Sequence, residues 1–130
     1  ATLIEEILEN FNGLVVIDEA YIDFSSKESW LNELENYPNL IVTQTLSKAY
    51  GLAGIRLGIC YASADIIAAL NKIKPPYNVN ELTQQRALKR LIDVDVVQNE
   101  INTILSQKHK LLKLLPEVPS LVNWAALISK

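Results

Sequence analysis

The sequence predicts an α/β protein in which a mostly parallel sheet is covered by flanking helices. Short, continuous apolar runs, typical of strands buried on both faces, alternate with amphipathic helical stripes along the first half of the chain. With 130 residues, 49% of them hydrophobic, the chain can also bury a sizeable core. The alternation therefore predicts helices packed on a sheet.

The first predicted elements are a helix, a strand and a second helix. Apolar residues recur at helical spacing over residues 3–11, and an Asn-Gly pair then ends the helix. The run LVVID at residues 14–18 predicts a strand buried on both faces. A helix over about residues 27–36 follows, with Ser26 as its N-cap.

The later elements divide into two groups. The runs LIVTQT and IRLGICYA predict two more strands, at residues 40–45 and 55–62. Apolar stripes predict three further helices, at residues 66–73, 81–92 and 94–115. A last apolar run predicts a final strand at residues 121–129. Helices dominate after the Pro-Pro pair at residues 75–76. We predict one domain over residues 1–93 and the beginning of a second, incomplete one over residues 94–130.

Composition and charge narrow the possible partners. The net charge of −3 gives no basic footprint for nucleic acid or for an anionic membrane, and no apolar run approaches the ~20 residues that span a bilayer. The single cysteine, Cys60, cannot form an internal disulfide, which predicts a cytoplasmic setting and a buried, inert thiol. No metal site is predicted. The chain begins with Ala1 and contains no methionine, so we expect a piece of a longer protein.

The candidate site residues stand just beyond the first two strands. Asp18 ends the first strand, and Thr45, Ser47 and Lys48 follow the second. Ligands of open α/β sheets bind at the carboxyl ends of strands. If the two strands run in the same direction, Asp18 and Lys48 face a common crevice. Glu19 neighbours this crevice, and a strand-end hydrogen bond is its expected role.

Three chemistries could use a strand-end carboxylate and a nearby lysine. Four apolar residues before Asp18 and Glu19 are typical of the magnesium-binding strand of P-loop ATPases, but the GxxxxGK[ST] loop is absent from the sequence. A dinucleotide site would need GxGxxG at the start of a helix, which is also absent. The third chemistry is a Schiff base between Lys48 and a carbonyl cofactor, for which pyridoxal phosphate (PLP) is the candidate.

The residue types meet the demands of PLP. A carboxylate at Asp18, about 4 Å from the pyridine nitrogen, would stabilise the protonated ring by about 4 kcal/mol at an effective dielectric constant of about 20. The hydroxyl of Tyr21 could bind the phenolic oxygen of the cofactor. Two hydroxyls and a forked cation suit a phosphate dianion, and the candidates are Thr45, Ser47 and Arg56.

Three motifs, VVIDEAYIDF, TLSKAYGLAGIRLG and PPYNVNELTQ, together resemble the histidinol-phosphate aminotransferase branch of the class I and II aminotransferases, which belong to the fold-type-I PLP enzymes. The resemblance implies that Lys48 is the Schiff-base lysine, that Asp18 binds the pyridine nitrogen and that Tyr21 binds the O3′ oxygen. It also implies a phosphate site, formed by Thr45, Ser47 and Arg56. One departure from the family is Gln44, because many relatives carry arginine there.

The same resemblance implies an activity. The enzyme would be a cytoplasmic homodimer that transfers the amino group of histidinol phosphate to 2-oxoglutarate in histidine biosynthesis. The chain would run from the large PLP-binding domain into the small domain of a considerably longer enzyme, and it would be inactive alone. One alternative that stays open is a PLP-dependent decarboxylase of a phosphorylated amino acid. Another, from a different class, is an ATPase fragment built around LVVIDE.

Overall fold

The computed structural model describes residues 2–114 of the chain. Two compact units make up the chain, Ala1–Ile92 and Asp93–Lys130. Within the described residues, the first unit contains three α-helices and a three-stranded sheet, and the second contains one α-helix. The strand predicted over residues 121–129 lies outside the described part of the chain.

Most helices and strands lie where the sequence predicts them. In the first unit they are α1 (Leu3–Asn10), β1 (Val15–Asp18), β2 (Leu40–Thr45), β3 (Gly58–Ala62), α2 (Ala64–Ile73) and α3 (Glu81–Ile92). In the second unit, α4 spans Val94–Leu114. The predictions of α1, β2, α2 and α3 are confirmed, and that of α4 is confirmed as far as the description reaches.

The strand directions decide where a site can form. The sheet has the order β1–β2–β3. β1 runs parallel to β2, with Asp18 beside Thr43, whereas β3 runs antiparallel to β2, with Thr45 beside Gly58. The sheet is therefore mixed. The first two strands share a direction, so their carboxyl ends meet at one edge.

Two apolar clusters hold the first unit together. Leu40 and Val42 of β2 are fully buried and pack with Leu8 of α1. In the second cluster, Leu46 and Leu52 pack with Ala87 of α3. Full burial of a leucine stabilises the fold by about 1.5–3 kcal/mol relative to exposure. The segment between β2 and β3 is therefore anchored on both sides of Lys48.

The prediction that strands are buried on both faces is wrong for β1. Val15 and Ile17 face the core, whereas Val16 is 60% exposed. In β3, Cys60 is exposed, so the prediction of a buried thiol is wrong as well. Successive residues of a strand point to opposite faces, and the two clusters contain only alternate residues of β1 and β3.

The third strand begins later than predicted. Ala53–Ile55 form a 3₁₀ turn, and Arg56 then adopts a left-handed conformation with φ 55° and ψ 47°. Extended strands contain no such residue, so pairing with β2 starts only at Gly58. The predicted start at residue 55 is corrected accordingly.

The helix predicted over residues 27–36 is also wrong. Trp30–Glu33 form only a 3₁₀ turn, with Ser29 rather than Ser26 as N-cap. The Ser29 hydroxyl accepts a hydrogen bond from the Leu31 N–H at 3.1 Å, and the Trp30 N–H donates to the Glu19 carboxylate at 2.7 Å. Glu19 follows β1 directly, so a residue distant in sequence decides where this segment turns.

Candidate functional site

Asp18 lies at the carboxyl end of β1, beside Thr43 of β2. The next residue continues the pairing, because the Glu19 N–H donates to the Thr43 carbonyl at 2.8 Å. The Asp18 side chain is exposed, and its Oδ1 atom accepts a hydrogen bond from the Ala20 N–H at 3.0 Å. This short turn orients the carboxylate at the edge of the sheet, where a ligand can reach it.

Lys48 and Tyr21 meet at the same edge. Tyr21 follows β1 and Lys48 follows β2, and the Lys48 Nζ atom lies 5.0 Å from the centroid of the Tyr21 ring. At this distance the electron-rich face of a phenol attracts an ammonium group. The structure thus brings together two candidates that are 27 positions apart in the sequence.

The turn that carries Lys48 is held by its own hydrogen bonds. The Thr45 Oγ1 atom accepts from the Ser47 N–H at 3.1 Å and donates to the Leu57 carbonyl at 3.3 Å. The Lys48 carbonyl accepts from the Gly51 N–H at 3.0 Å. With Leu46 and Leu52 buried on either side, the backbone at Lys48 is fixed while its side chain stays half-exposed.

Arg56 stands close to this turn along the chain. Its neighbour Leu57 accepts the hydrogen bond from Thr45, and the Arg56 Nη1 atom donates to the Ala53 carbonyl at 3.0 Å. The side chain is exposed. A non-glycine residue in the left-handed region costs on the order of 1 kcal/mol, and such strain is concentrated at functional sites. The conformation of Arg56 therefore supports a functional role for this position.

Glu19 is a member of the site region whose contacts the sequence did not reveal. It is only 6% exposed and accepts three hydrogen bonds, from the Ser29 hydroxyl at 2.6 Å, the Trp30 N–H at 2.7 Å and the Gln44 side-chain amide at 3.0 Å. The expectation of a strand-end hydrogen bond is confirmed, but its partners were not foreseen. The only local signal is a second carboxylate directly after Asp18.

The interior next to Glu19 disfavours negative charge. Burial raises the pKa of Asp23 above its usual value, its own backbone N–H acts in the opposite direction, and the Glu19 carboxylate raises the pKa further. Burial also raises the pKa of the Tyr50 phenol, and Asp23 and Tyr61 add to this effect.

The six candidate side chains are all at least partly open to solvent. Asp18 and Arg56 are exposed and contribute a carboxylate and a guanidinium. The other members are half-exposed, namely an amine beside a phenol ring and two hydroxyls, from Lys48, Tyr21, Thr45 and Ser47. An amine that can condense with an aldehyde, together with donors for a phosphate, is chemically suited to PLP. Between residues 2 and 114, no group of three or more His, Cys, Asp or Glu side chains could hold a metal ion. None of the helices in that part is long and apolar enough to cross a membrane.

Comparison with known proteins adds independent information. The sequence model of the family described as aminotransferase class I and II matches residues 2–129. The histidinol-phosphate aminotransferase of Flavobacterium johnsoniae is 71% identical over 113 residues, which are 87% of this chain and 32% of that protein. The chain thus spans about a third of the length of the curated relatives it matches.

Solved structures share the fold. The histidinol-phosphate aminotransferase of Sinorhizobium meliloti, determined in complex with PLP, has a TM-score of 0.73 and 27% identity over 80% of this chain and 29% of its own. A decarboxylase from Sulfurospirillum multivorans has a TM-score of 0.72 and 23% identity over 89% of this chain and 36% of its own. At that identity the second likeness shows the fold alone.

Proposed function

Since the chain belongs to the aminotransferase class I and II family, we propose that it is part of a PLP-dependent enzyme that transfers the amino group of histidinol phosphate to 2-oxoglutarate. The observation that carries the proposal is the position of Lys48 beside Tyr21 at the carboxyl ends of two parallel strands. The substrate assignment is supported by the 71% identity with a relative of that name.

Each candidate residue receives a defined role in this proposal. When bound, PLP supplies an electron sink that makes the Cα proton of an amino substrate acidic. Lys48 would hold the cofactor covalently through its amine and, once the substrate amine has displaced it, would be free to remove that proton from Cα. Asp18 holds a positive charge on the pyridine nitrogen, and the Tyr21 hydroxyl binds the O3′ oxygen. The phosphate is held by Thr45, Ser47 and Arg56.

The geometry supports the proposed role of Lys48 as a base. Its backbone is fixed by the buried Leu46 and Leu52 and by the hydrogen bond from Gly51. Its amine rests against the ring of Tyr21 rather than in an ion pair with Asp18. Because an ammonium–phenol contact at an exposed site is worth only about 0.5–1 kcal/mol, the amine can leave it readily.

The cellular location, the oligomeric state and the domain boundary are also proposals. We assign it to the cytoplasm, as supported by a single cysteine that leaves no internal disulfide, and we propose a homodimer from the family resemblance. Residues 1–93 would belong to the large PLP-binding domain, and residues 94–130 would begin the small domain. The division into compact units between Ile92 and Asp93 supports this boundary.

The alternatives receive less support. No contact in the described residues favours decarboxylation over transamination, and the decarboxylase likeness shows the fold alone. The ATPase alternative conflicts with membership of the aminotransferase family, and it leaves Lys48 and its glycine-rich turn without a role.

An assay of the full-length protein tests the proposed reaction. With PLP, histidinol phosphate and 2-oxoglutarate, we expect glutamate to form in equal amount to the keto product. Release of carbon dioxide without glutamate would contradict transamination and favour the decarboxylase. Binding of magnesium-ATP that is lost in Asp18→Asn, without any response to PLP, would favour the ATPase.

The role of Lys48 can be tested separately by chemical trapping. Borohydride reduction of the full-length protein with PLP should fix a pyridoxyl label on Lys48, because reduction makes the bond to the amine permanent. Peptide mapping locates the label. The label should persist in Lys27→Ala, whose side chain is exposed, and disappear in Lys48→Ala. A label on any other lysine would refute this assignment.

A further inference from the structure

Glu19 is a buried carboxylate without a cationic partner among its donors. It is 6% exposed, and the three groups that donate to it are a hydroxyl, a backbone amide and a side-chain amide, all neutral. Burial of a carboxylate is unfavourable unless hydrogen bonds replace its hydration. A position of this kind is therefore sensitive to the exact set of donors around it.

The donors of Glu19 come from two separate segments. Ser29 and Trp30 begin the 3₁₀ turn, whereas Gln44 belongs to β2. Glu19 itself extends the pairing of β1 and β2, since its N–H donates to the Thr43 carbonyl. A single side chain thus joins the end of β1, the end of β2 and the segment that follows Tyr21.

Proposed cofactor ligands stand close in sequence to Glu19 itself and to its donor Gln44. Asp18 precedes Glu19, Tyr21 is two residues beyond it, and Thr45 follows Gln44. Neighbouring residues of a strand point to opposite faces. In agreement, Asp18 is exposed while Glu19 is buried. Glu19 can therefore fix the positions of these ligands from behind, without occupying the site.

We propose that Glu19 is a positioning residue of the cofactor site, which sets the relative placement of Asp18, Tyr21 and Thr45 through its hydrogen bonds to Trp30 and Gln44. This inference rests on the proposed function. An ionised carboxylate only accepts hydrogen bonds, so Gln44 must turn its NH₂ group toward Glu19. The pairing needs one donor and one acceptor, and exchanging the two side chains should reverse its direction while keeping that match.

Four variants of the full-length protein test whether this pairing needs one donor and one acceptor. Glu19→Ala leaves the Trp30 N–H and the Gln44 amide without their acceptor. Glu19→Gln keeps an acceptor oxygen for Trp30, and Gln44 can rotate to accept from the new amide. Gln44→Glu places two carboxylates together. The double variant Glu19→Gln/Gln44→Glu restores one donor and one acceptor. Glu33→Ala is the control, because Glu33 also accepts from a side-chain amide, that of Asn36, but at the surface.

Two measurements report the result, the dissociation constant of PLP and the amide exchange rate of Trp30 in the cofactor-free protein. A buried group left unpaired costs enough to change an equilibrium by about 10-fold or more. We expect changes of at least about that size in both measurements for Glu19→Ala and Gln44→Glu. We expect changes within about 3-fold for Glu19→Gln, the double variant and Glu33→Ala.

The inference and the proposed function fail in different ways. Wild-type protein that binds PLP, together with a double variant as weak as Gln44→Glu, would overturn the positioning role and leave the proposed function intact. PLP binding and Trp30 exchange unchanged in Glu19→Ala would overturn it too. Wild-type protein that binds no PLP would refute the proposed function. If Glu19→Ala does not fold, rescue of Gln44→Glu by Glu19→Gln decides the question.

Discussion

Asp18 is oriented within the chain before any ligand arrives. Its Oδ1 atom accepts the Ala20 N–H at 3.0 Å, a local hydrogen bond that restricts the side chain to one direction. An asparagine could accept the same bond through its carbonyl oxygen. The substitution Asp18→Asn therefore removes the charge while the turn at the end of β1 is kept, which makes it an informative variant.

We expect Asp18→Asn in the full-length enzyme to bind PLP but to lose transamination by at least about 100-fold. The reason is that a neutral amide cannot stabilise the pyridinium, an interaction of about 4 kcal/mol at about 4 Å and an effective dielectric constant of about 20. Steady-state rates with histidinol phosphate, compared with the absorbance of bound cofactor, check both parts. A variant as fast as wild type would remove Asp18 from the proposed mechanism.

Asp23 gives a prediction about pH. Burial raises its pKa, so the folded protein binds this proton more tightly than the unfolded chain does. The resulting stabilisation is complete below the unfolded pKa and is lost as the pH rises through the folded pKa. Asp23→Asn should therefore raise the free energy of unfolding at about pH 7, and by less at about pH 4. Denaturant titrations at both pH values measure this, and an equal gain at both would contradict the assignment.

At the level of helices and strands, the sequence predicts the elements that local patterns determine and misses those that distant contacts determine. β2 and α3 are confirmed because their apolar runs and stripes extend over the whole element. The turn Trp30–Glu33 was not foreseen, because the acceptor that stops a longer helix is Glu19, distant in sequence. The sequence did not predict that β1 and β2 run in the same direction, because strand direction depends on how the strands pair in the folded protein.

In the candidate site, too, the sequence predicted features of local origin and missed contacts between distant residues. Residue types alone suggested that Asp18 and Lys48 lie near a shared edge, because both follow apolar runs. The contact of Lys48 with the face of the Tyr21 ring depends on two turns that meet only after folding. The hydrogen bond between Glu19 and Gln44 joins residues 25 positions apart, and no local sequence pattern predicts it.

The turn after Lys48 allows a matched test of backbone strain. Gly51 has φ +67°, and a Cβ atom there would meet no atom within 4 Å. Gly51→Ala should lower the free energy of unfolding by about 1 kcal/mol, because only the left-handed backbone opposes the change. Gly54→Ala has equally open space and no positive φ, so it should be neutral or slightly stabilising. Denaturant unfolding of both variants measures the change in the free energy of unfolding. Equal losses in the two variants would contradict the role assigned to the positive φ of Gly51.

At the scale of the whole molecule, the first unit exposes much apolar surface around α1 and β1. The exposed side chains there include Leu3 at 73%, Phe11 at 55%, Leu14 at 57% and Val16 at 60%. β1 is also an edge of the described sheet. Unpaired strand edges and contiguous apolar patches promote association with other chains.

We therefore expect the 130-residue chain alone to self-associate and to show no transaminase activity, with full-length protein as the control. Light scattering after size exclusion measures the association. Val16→Lys should reduce it, because a lysine on an edge strand opposes pairing with another chain. A well-folded monomer that converts histidinol phosphate would show that the remaining two thirds of the relatives' length are dispensable.

The left-handed backbone at Arg56 (φ 55°) has a consequence for how this protein can evolve. Glycine would relieve strain on the order of 1 kcal/mol at this position, but it would remove the guanidinium proposed to hold the phosphate. A population selected only for heat resistance should therefore drift toward glycine or asparagine here, whereas one selected for growth without histidine should keep arginine. The residue at this position is therefore a compromise between the stability of the fold and the proposed binding of phosphate.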